Sequence, residues 1–192
     1  MVHSTATALA PHEYSQDELI AALLERWSER YYNPGRIEQF QRNVLVGSRH
    51  LALPIEAYED LKGFGAHNDA WIRVATDMAE SAVTNVLQSA GLTAADISIV
   101  VSTTVTGIAV PSLEARLMNR LPFSAATKRV PLFGVGCLAG CAGVNRLGDY
   151  LKGHPTEAGL MLSVELCSLT LQREDLSVAN IIASAVSYTH LT

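Results

Sequence analysis

A strand-like run that passes through two glycines into a small-residue helix constrains this chain more than any other feature. The stretch 128–153 reads KRVPLFGVGCLAGCAGVNRLGDYLKG. Its apolar strand pattern, Val130 to Val135, runs into Gly134-Val135-Gly136 and then Cys137. Leu138 to Leu151 follows as a helix pattern, closed by Gly153. A cysteine at such a turn has its sulfur near the first free N–H groups of a helix. Those groups and the aligned peptide dipoles favour thiolate over thiol, which makes Cys137 a candidate nucleophile. The competing reading is a buried small hydrophobe, the usual state of a cysteine without a partner. Spacing alone leaves both open.

Length bounds the answer at one generous domain or part of a larger one, since the chain has 192 residues. Hydrophobic residues make up 48% and charged residues 17%, enough apolar material for a large core and too much for disorder. A net charge of −5 argues against nucleic acid as a general partner. The N-terminus has no cationic start followed by an apolar run, so no secretion signal is expected, and no apolar stretch approaches a membrane span. Three cysteines without small-scaffold spacing fit a reducing cytoplasm. Cys137 and Cys141 are too far apart for a redox C-x-x-C pair. Without nearby histidines they are a poor zinc site, so no metal is expected.

The chain reads as alternating helices and strands. Ser15 with Glu18 forms a capping box ahead of Leu19, Ile20, Leu23, Leu24 and Trp27, a helix expected to end near Asn33-Pro34-Gly35. Residues 40–54 read as irregular. A long helix is predicted after Asn68 or Asp69, with Trp71, Val74, Ala75, Met78, Ala82, Val83, Val86 and Leu87 in one stripe and Gly91 as its stop. Thr93 and Asp96 suggest a short capped turn. The β-branched run Ile97 to Thr103 predicts a strand covered on both faces. Thr104 to Pro111 is a loop, and Ser112 caps a helix to Leu121. Leu160 to Leu166 predicts another buried strand, and Ser177 to Ala185 a helix. Strands separated by helices imply a parallel or mixed sheet with helices on both faces.

In combination these segments resemble the type III polyketide synthases, the chalcone-synthase-like enzymes of the thiolase superfamily. Gly136-Cys137-Leu138-Ala139-Gly140 through Arg146 is similar to the family's nucleophile motif. Ser163-Val164-Glu165 with Leu166-Cys167-Ser168-Leu169-Thr170 is similar to the strand that ends beside its cavity. The run STTVTGIAVPSLEARL resembles a loop ending in Pro and a helix, and TATALAPHEYSQDELIAAL the N-terminal strand, proline and first helix. The resemblance covers residues 4 to 185, and Leu138 in place of Phe gives it a bacterial cast. It implies an α/β, thiolase-like α-β-α-β-α layered fold, here as an N-terminal domain over residues 1–185, with a mixed sheet and a buried central helix after the cysteine.

The resemblance also implies a chemistry. The cysteine thiolate takes the acyl group of an acyl-CoA, malonyl-CoA is decarboxylated, and the enolate attacks the bound thioester. Extension and cyclisation then give pyrone or phenolic products. No cofactor is expected beyond coenzyme A thioesters as substrates, and the expected assembly is a homodimer. Thr106, Val110, Cys167 and Thr170 match positions that line the cavity; Arg42 and Arg49 fall where basic residues meet coenzyme A phosphates. For each of these, ordinary packing or a solvated surface is the competing reading. Glu165 is expected to make a buried structural pairing, and Cys141 to pack against a neighbouring helix. In the family a catalytic His and Asn lie in a C-terminal half that repeats the fold. No matching residues are found in this chain; His154 reads as a loop residue, and SYTHLT at the end departs from the pattern. The chain is therefore expected to be an N-terminal half, with residues 186–192 a non-family tail. Two rivals stand beside this reading: a 3-oxoacyl-carrier-protein synthase III or hydroxymethylglutaryl-CoA synthase type of enzyme, and a non-catalytic dimerising fragment.

Overall fold

The computed structural model describes residues 1–187, apart from the side chains of residues 183, 186 and 187. Most of the divergent tail, residues 188–192, lies outside that range. Two compact units emerge: residues 1–8 with Asn68–Glu165, and residues 9–67 with those from Leu166 onward. No helix among the described residues is long and apolar enough to cross a membrane.

In the first unit a parallel sheet has the order β4-β3-β5, with β3 (Ile97–Thr104) between β4 (Lys128–Phe133) and β5 (Ala158–Ser163). The predicted strand at 97–103 is thus the central one. Ile97, Ile99, Val100 and Val101 are all buried, which explains their unbroken β-branched run. Register places Thr104 opposite Phe133 and Thr103 opposite Ser163, so all three strands finish level. β5 stops at Ser163, earlier than its sequence suggested: Val164 still donates its N–H to the Thr103 carbonyl, and the chain then leaves the sheet.

Helix α3 (Gly63–Ala90) begins ahead of the predicted start and buries Trp71, Val74, Ala75, Ala79, Val83 and Leu87. The capping box of Thr93 and Asp96 is present. Helix α4 (Leu113–Leu117) is shorter than expected, because after Leu117 the chain tightens into turns, with Asn119 N–H on the Arg116 carbonyl and Arg120 N–H on the Leu117 carbonyl. At its start the Ser112 hydroxyl donates to Glu114 Oε1 rather than capping the backbone. Glu114 is buried and also accepts from Ser102 on β3, tying α4 to the sheet.

Helix α5 (Ala139–Gly153) lies close on β3 and β5 because small residues remove the barrier between them. A Cβ on Gly143 would stand 2.4 Å from Met161, and one on Gly159 would stand 2.4 Å from Leu147 Cδ1. Only Ala139 and Gly143 of α5 are fully buried, since the sheet covers one face and nothing described covers the other.

The second unit holds the antiparallel pair β1 (His12–Ser15) and β2 (Ser48–Leu51) with helices α1 (Gln16–Trp27), α2 (Pro34–Asn43) and α6 (Val178–Ser187). The predicted capping box starts α1: Glu18 N–H donates to Ser15 Oγ, and Ser15 N–H to the Glu18 carboxylate. Such a cap contributes about 1 kcal/mol. Pro34, read as a helix stop, opens α2 instead, where its missing N–H and fixed φ suit the first turn. The strand expected before Pro11 falls after it, because His12–Ser15 are the residues that pair with β2.

Trp27, Tyr31, Ile37 and Ile181 form this unit's apolar cluster. Beside it runs a buried polar chain. Arg49 Nε donates to Gln16 Oε1, Gln16 Nε2 to Gln41 Oε1, and Gln41 Nε2 to Ser184 Oγ. Ser184 in turn donates to the Ile181 carbonyl.

Candidate active site

Three chain segments leave the carboxyl ends of β3, β4 and β5, the edge at which parallel α/β sheets build their sites. β4 gives way to Gly134 (φ 80°) and Gly136 (φ 62°), both in the left-handed region that only glycine occupies without strain. Between Gly136 and α5 lies a 3-10 turn, Gly136–Leu138, and Cys137 is its middle residue. The sequence placed Cys137 at the helix start; the extra turn sets it just ahead. No side chain caps α5. Cys137 is exposed and the three cysteines carry no disulfide. Around it Phe133 and Leu138 expose 61% and 64% of their surface, which opens an apolar rim at the turn. Cys141, expected to pack against a helix, is exposed as well, because the face of α5 that carries it is uncovered.

β3 continues into the loop that carries Thr106 and Val110. Glu165, just past β5, holds the loop's beginning. Its carboxylate accepts from Thr106 Oγ1 at 2.7 Å, Thr106 N at 3.1 Å and Val105 N at 3.1 Å, which is the structural pairing the sequence suggested. Asn68 clamps the middle: its side chain accepts from Ile108 N and donates to the Ile108 carbonyl, each at 2.8 Å. Trp71 Nε1 donates to Thr106 Oγ1, and Gly107 rests on the Trp71 ring, where a Cβ would come within 2.0 Å of Cδ2. Val110 stands out with 88% of its surface exposed.

Below the loop is a cavity of about 190 Å³ lined by Trp71, Gly107, Ile108, Glu114, Leu132 and Phe133, among others. Neither Thr106 nor Val110 lines it. Thr106 spends its hydroxyl on Glu165, and Val110 points to solvent. Asn68, Trp71, Gly107 and Glu114 are the residues that sequence reasoning passed over. The one available signal was a glycine inside the apolar run GIAVP, which marks a close backbone approach.

The remaining candidates belong to the second unit. Cys167 is buried in a 3-10 turn, Cys167–Leu169, and Thr170 donates its hydroxyl to the Cys167 carbonyl at 2.8 Å. Ser168 anchors this turn, accepting from Tyr58 at 2.7 Å and from Ala52 N at 3.1 Å. Burial pushes the Tyr58 phenol up from its ordinary pKa. Arg49, expected at coenzyme A phosphates, is corrected to a buried position. Its Nη2 donates to the Ala185 carbonyl at 3.1 Å, and a guanidinium so enclosed cannot meet a phosphate in solvent. Arg42 is exposed, but its charge is taken by Asp17 and Glu38.

The sequence model of the family described as FAE1/Type III polyketide synthase-like protein matches residues 62–176, a span that contains the Cys137 turn, the 104–111 loop and Glu165. A 1,3,6,8-tetrahydroxynaphthalene synthase of Streptomyces peucetius subsp. caesius is 48% identical over 185 residues, covering 96% of this chain and 49% of that protein. A phloroglucinol synthase of Pseudomonas fluorescens is 34% identical over 144 residues, covering 75% of this chain and 41% of that one. Among solved structures, the 1,3,6,8-tetrahydroxynaphthalene synthase of Streptomyces coelicolor A3(2), a bacterial type III polyketide synthase, superposes with a TM-score of 0.87 at 28% identity. That superposition covers 94% of this chain and 51% of the other. The fold is therefore the thiolase-like α/β fold of these enzymes. The chain spans about half the length of the curated relatives it matches.

Proposed function

The chain belongs to the FAE1/type III polyketide synthase-like family, and from that premise we propose that it carries the acyl-loading part of a polyketide-forming active site, with Cys137 as nucleophile. The Cys137 thiolate attacks the thioester carbonyl of an acyl-CoA, the bond to the coenzyme A sulfur breaks, and the released coenzyme A thiolate takes a proton. In the complete reaction malonyl-CoA loses CO₂. The electron pair of the broken C–C bond becomes an enolate carbon that attacks the Cys137 thioester and returns the thiolate. For residues 1–192 themselves the step proposed is acyl loading.

One observation carries this reading. An exposed cysteine sits on a two-glycine turn at the carboxyl edge of three parallel strands, beside a loop clamped by Glu165 and Asn68, and all of it lies inside the family-matched span. The names of the relatives point to a phenolic product, of the tetrahydroxynaphthalene or phloroglucinol type. The apolar rim at Phe133 and Leu138 supports a homodimer, and three cysteines without small-scaffold spacing fit a cytoplasmic location. A carrier-protein-dependent relative is not favoured, since the family model and the similar solved structures bear polyketide synthase names.

Release of the coenzyme A thiol tests the proposal. Mixing the chain with a long-chain acyl-CoA should liberate about one thiol per chain, and Cys137→Ala should liberate none. Equal release by the two proteins would end it.

A further inference from the structure

We propose that the cavity inside the second unit is a binding site for a short aliphatic carboxylate. Its volume is about 80 Å³, room for roughly five to eight water-sized groups at about 10–15 Å³ each. Leu19, Ala22, Leu23, Leu51, Ile55 and Leu171 supply its apolar wall. The space opens to solvent on one side, so a small ligand can reach its apolar wall. An aliphatic tail satisfies that wall.

The charged part of the lining is of one kind. Arg26, Arg49 and Arg173 all border the cavity. Arg26 and Arg173 share the single carboxylate of Glu59, while Arg26 and Arg30 share that of Glu174. Three guanidinium groups, on Arg26, Arg30 and Arg173, thus meet two carboxylates, and the cluster keeps one positive charge in excess. The two acids face solvent, with 58% and 70% of their side chains exposed, whereas Arg26 and Arg173 are the more enclosed members at 28% and 17%.

Both terminal nitrogens of Arg26 are engaged by these acids, but its Nε is buried without a partner among the described residues. A carboxylate seated at this end of the cavity, which Arg26, Arg49 and Arg173 border, balances the excess charge through charge-assisted hydrogen bonds. An alcohol of the same length matches the wall alone, and an amine is repelled. The site is independent of Cys137 chemistry: every residue named belongs to the second unit, and no acyl transfer is involved.

The test is a titration of the 192-residue chain with hexanoate, hexanol and hexylamine by ligand-observed NMR, with a melting curve for every variant. Hexanoate should bind, hexanol should bind about tenfold more weakly or worse, and hexylamine should not bind. Ala22→Phe fills the space and should abolish hexanoate binding while the chain stays folded; should it melt early, Ala22→Leu is the milder plug. Arg26→Met should weaken hexanoate by about tenfold and erase its advantage over hexanol. Equal affinity for hexanoate and hexanol, undiminished binding in a folded plugged variant, or no hexanoate signal at all would overturn the proposal.

Discussion

Cys137 and Cys167 both occupy 3-10 turns, but their surroundings are opposite. Cys137 follows two glycines with positive φ, is exposed, and is flanked by the open side chains of Phe133 and Leu138. Cys167 is buried in a turn pinned from several sides: Tyr58 and Ala52 bond Ser168, Thr170 bonds the Cys167 carbonyl, and His67 bonds the Leu169 carbonyl. The same residue type is presented to a reagent in one place and locked into a core in the other. What a cysteine can do here is set by the backbone and the hydrogen bonds around it, not by the thiol alone.

The largest effect that could break this contrast is in thiol labelling. Under native conditions Cys137 and Cys141 should alkylate readily, while Cys167 should react at least about a hundredfold more slowly, because its exposure requires local opening. Similar rates at all three would remove the contrast. A second test strikes the buried polar chain of the second unit. Gln16→Leu deprives Arg49 Nε of its acceptor and Gln41 Oε1 of its donor, and should cost about 3 kcal/mol in urea unfolding. A loss below about 0.5 kcal/mol would show that the chain is decorative.

Gly107→Ala probes the 104–111 loop of the first unit. The added methyl collides with the Trp71 ring, whose indole N–H also bonds Thr106, so the loop must lift. About 1–3 kcal/mol of stability should be lost, and Trp71 fluorescence should shift. Unchanged stability and emission would mean that the loop is not held by this contact.

The smallest effect concerns pH. The Tyr150 hydroxyl, donating at 2.5 Å and aided by Lys128, holds the Glu157 carboxyl below its ordinary range. A carboxyl lowered in the folded chain stabilises it above the usual carboxylate pKa, and that contribution fades as pH falls through the lowered value. Tyr150→Phe should therefore reduce the melting temperature slightly at neutral pH and not at strongly acidic pH. A loss that persists in acid would assign the effect to the hydrogen bond that the Tyr150 hydroxyl accepts from Lys128 instead.

Much of the architecture was legible because the deciding interactions are local. The capping boxes at Ser15 with Glu18 and Thr93 with Asp96 each join residues three apart, and the β-branched run of β3 states its own burial. Pro34 misled because proline both stops a helix and opens one, and only the partners of the following turn decide. β2 was passed over because one of its two inward residues is Arg49, whose acceptor, Gln16, lies thirty-three positions away. The site divided along the same line. Cys137 declares itself through adjacent glycines, whereas the clamps on its neighbouring loop, Asn68, Trp71 and Glu165, are brought from distant parts of the sequence by the sheet.

The central claim is that Cys137 is the acyl acceptor, and intact mass spectrometry tests it most directly. The chain, Cys137→Ala and Cys141→Ala would each be incubated with acyl-CoA thioesters from malonyl-CoA to a long-chain acyl-CoA. The account predicts a single acyl adduct on the wild type and on Cys141→Ala, and none on Cys137→Ala. An adduct that survives in Cys137→Ala, or a folded wild-type chain that stays unmodified by every thioester, would contradict it.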